Sequence, residues 1–146
     1  MSVSQERSAS VLLVEDDSAL LAVMVECLLR EGFRVSTATS GTAAMEASRV
    51  AVFDVAVIDV FLPDAGGLGV ARALSRQADG PIHVLFVSAL SLPTVRAALW
   101  PAPVLFKPFK RRELLEFVRA AMQGPPVDLG RVGDTGPAEQ GEPAES

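Results

Sequence analysis

The residues of this chain that could do chemistry are acids, one hydroxyl and one ammonium, and each stands directly after an apolar run. VLLV is followed by Glu15, Asp16 and Asp17, VAVI by Asp59, VLFV by Ser88, and VLF by Lys107. A lysine is costly to bury unless it is paired, and Pro108 directly after Lys107 prevents the run from simply continuing as a central strand. The ammonium is therefore expected to be held against Asp59 and its neighbours. Clustered carboxylates repel one another and are relieved by a cation between them. Only oxygen donors are on offer, which favours Mg²⁺ over zinc or copper. A carboxylate beside Mg²⁺, a lysine and a hydroxyl suits phosphoryl transfer. Asp59 would be the nucleophile. The metal and Lys107 would neutralise the transferred group, and Ser88 would donate to one of its oxygens.

Each residue alone has an ordinary reading. Asp16 or Asp17 could cap a following helix, Asp59 could open a turn, Ser88 could be a cap, and Lys107 could snorkel to the surface. The functional reading rests on their joint occurrence at successive strand ends.

The elements that must position these residues can be read from periodicity. Short apolar runs at 11–14, 33–39, 55–58, 82–87 and 104–106 alternate with helical patterns at 18–32, 40–50, 67–77, 93–100 and 111–122. Strict alternation implies a parallel sheet with helices on both faces. Continuously apolar strands agree, since parallel strands are buried on both sides. Ligands then bind beyond the carboxyl ends of the strands.

Composition bounds the rest. The 146 residues, 49% hydrophobic, suffice for one domain with a real core. Residues 1–9 read as a frayed arm, 10–123 as the domain, and 124–146 as a disordered acidic tail rich in proline and glycine. Of the net charge of −5, the tail carries −4, so no basic footprint for nucleic acid is seen. The single cysteine, Cys27, excludes an internal disulfide and reads as core. No signal-like or membrane-spanning run is evident, so a cytoplasmic setting without membrane contact is expected. His83, the only histidine, reads as structural, and Trp100 as half-exposed.

The motifs VLLVEDD, DVAVIDVFLPDAGG, VLFVSA and KPF together resemble the receiver domain of bacterial two-component response regulators, over about residues 10–123. The resemblance implies a doubly wound, flavodoxin-like (βα)₅ fold with strand order 2-1-3-4-5. It implies that Asp59 accepts a phosphoryl group from a histidine kinase or a histidine phosphotransfer protein. Glu15, Asp16 and Asp59 would hold Mg²⁺ with the backbone carbonyl of Phe61. Ser88 would be the switch hydroxyl and Lys107 the family's lysine, with a cis bond to Pro108. Asp17 lies one position too far to be a ligand.

Three departures stand out. Gly66 replaces a common aspartate, the segment from Ser88 to Lys107 is short by nearly one helical turn, and Val104 replaces the aromatic residue usual three positions before the lysine. Phe106 is set aside as a substitute ring, because it neighbours Lys107 and strand neighbours point to opposite faces. These changes predict a monomer or weak dimer rather than the family's common symmetric dimer.

The expected protein is a stand-alone receiver that signals to a downstream protein. Its only reactions would be its own phosphorylation and dephosphorylation. One alternative is a degenerate receiver that binds partners without phosphorylation; the full residue set argues against it. Another is a phosphatase with an aspartyl nucleophile, which would want an aspartate where Phe61 stands.

Overall fold

The computed structural model describes residues 8–133. Five strands, β1 (Ser10–Val14), β2 (Arg34–Ala38), β3 (Val55–Asp59), β4 (His83–Ser88) and β5 (Val104–Phe106), form one sheet. Their order is β2-β1-β3-β4-β5, and every pairing is parallel. The helices between and after them are α1 (Ser18–Arg30), α2 (Gly41–Val50), α3 (Gly67–Gln77), α4 (Pro93–Leu99) and α5 (Arg111–Gln123). This is the doubly wound arrangement expected. The chain reverses its direction of travel across the sheet between β1 and β3, which opens a crevice at their carboxyl ends.

Strand alternation divides the core in two. Leu12, Val14, Ala56, Ile58, Val84, Phe86 and Val104 pack with α2, α3 and α4. Val11, Leu13, Val55, Val57, Leu85 and Val87 pack with Leu21, Met24, Cys27 and Leu28 of α1 and Leu114 and Val118 of α5. Local signals set the helix ends. Asp17 Oδ1 accepts from the amides of Ala19 (3.0 Å) and Leu20 (3.2 Å), so Asp17 caps α1. Ser40 caps α2 through the Ala43 amide. Gly32, at φ +91°, ends the first helical segment in a conformation that side chains rarely adopt. The Lys107–Pro108 bond is cis, as is Trp100–Pro101. No helix among the described residues is long and apolar enough to cross a membrane.

Two expectations need correction. The domain does not end at residue 123. Leu129 and Val132 are buried in the α2–α4 side of the core, with a 3₁₀ turn at Leu129–Arg131. Two apolar side chains suffice to anchor this stretch, because Arg72 also binds its carbonyls at Leu129 (3.2 Å) and Val132 (3.3 Å). The expected tail from 134 to 146 lies outside the described residues, as do residues 1–7 of the expected arm. Its last two residues are tied to β2, with Ser8 and Ala9 accepting from Arg34. The second correction concerns Phe106. Residues two apart in a strand share a face, so Phe106 lies with Val104 against the α2–α4 core. Across the ladder its register partner is Ser88.

Candidate functional site

Alternation places Glu15, Asp59 and Lys107 on one side of the sheet. Each continues the parity of strand residues that face α1 and α5, while Ser88 continues the opposite parity. Glu15 and Ser88 are fully buried, Asp59 is buried and Asp16 is exposed. Lys107 Nζ donates to Asp59 Oδ2 at 3.1 Å and lies 2.9 Å from Glu15 Oε1. This buried oxygen has the Lys107 ammonium beside it and no other hydrogen-bond donor among the described residues. Glu15 Oε2 accepts from the Asp17 amide at 3.0 Å, and Asp59 Oδ1 from the Phe61 amide at 3.0 Å.

These contacts explain the titration of the pair. Burial pushes the Glu15 carboxyl above its ordinary range and the charge of Asp59 adds to this; the Lys107 ammonium and the Asp17 amide oppose it. Burial works against the Lys107 ammonium too, but contact with Glu15 and Asp59 outweighs it and holds the group charged beyond its ordinary range.

One carboxylate oxygen each from Glu15, Asp16 and Asp59 lie within 4.8 Å of one another. An all-carboxylate set of three oxygens this close together suits a hard divalent cation. Phe61 holds the rim: its backbone pairs with Gly66, and its ring is exposed. Ser88 Oγ is turned into its own loop, accepting from the Leu90 amide at 3.0 Å. Leu90 and Leu92 of this loop are exposed, as is Phe61 after the neighbouring strand β3.

Two positioning residues escaped the sequence reading. Gly67, whose amide donates to Val60 O at 2.8 Å, lies against the backbone that carries Asp59. The Gly66–Gly67 pair in the loop after Asp59 was the available signal. Asp64 accepts from the Gly41 amide (2.8 Å), the Thr42 amide (3.0 Å) and Thr42 Oγ1 (2.9 Å), which ties the β3–α3 loop to the start of α2. These bonds hold its carboxyl below the ordinary range. Cys27 is buried, with Sγ 3.4 Å from Arg111 O, and His83 and Trp100 are half-buried away from the carboxylates.

With this geometry in place, the likeness to known proteins can be located on it. Residues 11–119 match the family model described as response regulator receiver domain. The DNA-binding response regulator MtrA of Mycobacterium tuberculosis is 35% identical over 114 residues, covering 77% of this chain and 50% of that protein. The chain spans about half the length of the curated relatives it matches. Among solved structures, the chemotaxis response regulator CheY4 of Vibrio cholerae is 26% identical with a TM-score of 0.70, covering 78% of this chain and 98% of that one. The receiver domain of sensor histidine kinase PA1611 of Pseudomonas aeruginosa is 25% identical with a TM-score of 0.69, covering 80% and 99%. That structure has a magnesium ion coordinated in its active-site cleft.

Proposed function

The chain belongs to the response regulator receiver domain family, and from that membership we propose that it is a phosphoacceptor whose Asp59 takes a phosphoryl group from a histidine kinase or histidine phosphotransfer protein. The observation that supports this most is the Lys107 ammonium seated between Glu15 and Asp59. An Asp59 oxygen attacks phosphorus, the phosphorus–nitrogen bond of the donor phosphohistidine breaks, and the imidazole leaves with the electron pair. The product is an acyl phosphate. Lys107 shifts its ammonium onto the arriving phosphoryl oxygens. Ser88 rotates away from Leu90 and donates its hydroxyl proton to another of them. Glu15, Asp16 and Asp59, with the Phe61 carbonyl, would hold Mg²⁺, which when bound supplies positive charge against the phosphoryl oxygens.

Aspartyl-phosphatase chemistry is disfavoured, because Phe61 occupies the position where such an enzyme needs an acid. The read-out proposed is contact with a downstream protein in the cytoplasm. The DNA binding named for MtrA is that protein's own, and the alignment covers half of it. The deciding experiment is incubation with acetyl phosphate and Mg²⁺, followed by intact mass. One phosphate should be added to the wild type and none to Asp59→Asn. Equal labelling of that variant would overturn the assignment.

A further inference from the structure

The chain does not leave the domain at the end of α5. That helix lies on one face of the sheet, yet Leu129 and Val132 are buried on the other, where Val127 also packs. The segment is fixed at three points. Asp128 Oδ1 accepts from the Gly130 amide at 3.0 Å and shapes the turn. Arg72 of α3 donates through Nε to Leu129 O and through Nη2 to Val132 O. The Gly133 amide donates to Trp100 O at 3.0 Å, directly after α4. Gly133 sits at φ +88°, and a Cβ there would come within 3.3 Å of Ala98 O, so the segment closes tightly on the end of that helix.

Helix α4 has little else to hold it. It has seven residues, one buried side chain (Leu99) and no side-chain cap at its start. Its other tethers are Val95, partly buried against the same core, and Arg96, whose guanidinium lies 5.0 Å over the Phe106 ring. Phe106 in turn is the register partner of Ser88. The loop from Ser88 runs through Leu92 into the first turn of α4. The helix thus has one handle beside the switch hydroxyl and a second on the segment that follows α5.

We propose that residues 124–133 are a strap that clamps α4 in its unphosphorylated position and loosens when Asp59 is phosphorylated. This rests on the phosphoacceptor reading above and adds to it a regulatory element of this chain. Movement of Ser88 toward a phosphoryl group shifts its loop and the Phe106–Arg96 contact. The helix then moves relative to α3, and the bond from Gly133 to Trp100 cannot be kept together with both bonds from Arg72. By linkage, loosening the strap must also favour the phosphorylated state.

The test is amide hydrogen exchange on the full chain with Mg²⁺, with and without beryllofluoride. In the wild type, exchange at Gly133 should speed up about 5-fold or more on adding beryllofluoride, together with changes across Ser88–Leu92. Asp59→Asn should show neither. A response at Ser88–Leu92 with Gly133 unaltered overturns the strap and leaves the phosphoacceptor reading standing. No response at either place overturns both. As a second measurement, Arg72→Ala and Val132→Ser should each lower the half-saturating beryllofluoride concentration about 5-fold. An unchanged value in both folded variants overturns the proposal.

Discussion

Gly67 stands so close to the backbone of Asp59 that a Cβ there would overlap the Asp59 carbonyl oxygen and come within 2.9 Å of Val60 Cα. Neither neighbour is a flexible side chain, so the strain cannot be relieved by a rotamer change. Gly67→Ala should therefore cost about 1–3 kcal/mol through overpacking, read as a lower urea midpoint. Because the displaced atoms carry Asp59, the proposed nucleophile, labelling by acetyl phosphate should also fall in the folded fraction. Normal labelling with normal stability would show that the loop has room that the geometry denies it.

Asp16 is exposed, unlike Glu15 and Asp59. Asp16→Ala should fold normally, and its melting temperature without Mg²⁺ should be equal to or above that of wild type, since one of three mutually repelling acids is gone. What should disappear is the rise on adding metal. At a Mg²⁺ concentration a hundred times Kd, linkage gives the wild type about 2.7 kcal/mol. A rise that survives in the variant would place the ion elsewhere.

The exposed apolar side chains of Phe61 and Leu90 predict a slow loss of the phosphoryl group. Hydrolysis needs a water in line with the Asp59 oxygen–phosphorus bond, and Phe61 and Leu90, both at this rim, can exclude water but cannot orient it. The double variant Phe61→Asn, Leu90→Lys should lose its phosphate severalfold faster, followed by intact mass over time. Equal decay would sink the steric account.

Asp64 gives the pH dependence. Its carboxyl titrates below the ordinary 3.8 because the amides of Gly41 and Thr42 and the Thr42 hydroxyl donate to its charged form. A depressed folded-state value contributes stability that is present above pH 3.8 and is lost as pH falls through the folded value. Asp64→Ala should therefore melt below the wild type at neutral pH, and the gap should close in acid. A gap that persists at low pH would assign the difference to packing and not to the charge.

The parallel sheet and the gathering of Glu15, Asp59 and Lys107 were legible because each residue ends an apolar run, and a parallel sheet brings such ends to one edge; the strand order was implied only by the resemblance to receiver domains. The capping role of Asp17 was legible for the same local reason. The strap was not. Leu129 and Val132 sit among glycines, prolines and acids, and a composition rule averages away two anchors whose partners, Arg72 and Trp100, are distant in sequence. Gly67 was hidden because its role is a clash that does not occur, which no periodicity reports. Phe106 was set aside by comparing it with Lys107, its neighbour, when the informative comparison was with Val104, two residues away.

Helices α1 and α5 are zipped together by Leu21, Met24 and Leu28 against Leu114 and Val118, and by the exposed pairs Glu26–Arg111 and Glu31–Arg119. The exposed pairs add little individually, but their partners are 85 and 88 residues apart in the chain. On the ribosome this face of the sheet cannot be covered until the last helix has emerged. At roughly 5–20 residues per second, the wait is on the order of 10 s. During that time α1 offers its apolar stripe to the surroundings. The nascent chain is thus most vulnerable to aggregation before α5 arrives. A stop codon ahead of α5 should give a product that is found with chaperones or in inclusion bodies, even though every residue proposed for phosphoryl transfer is already present.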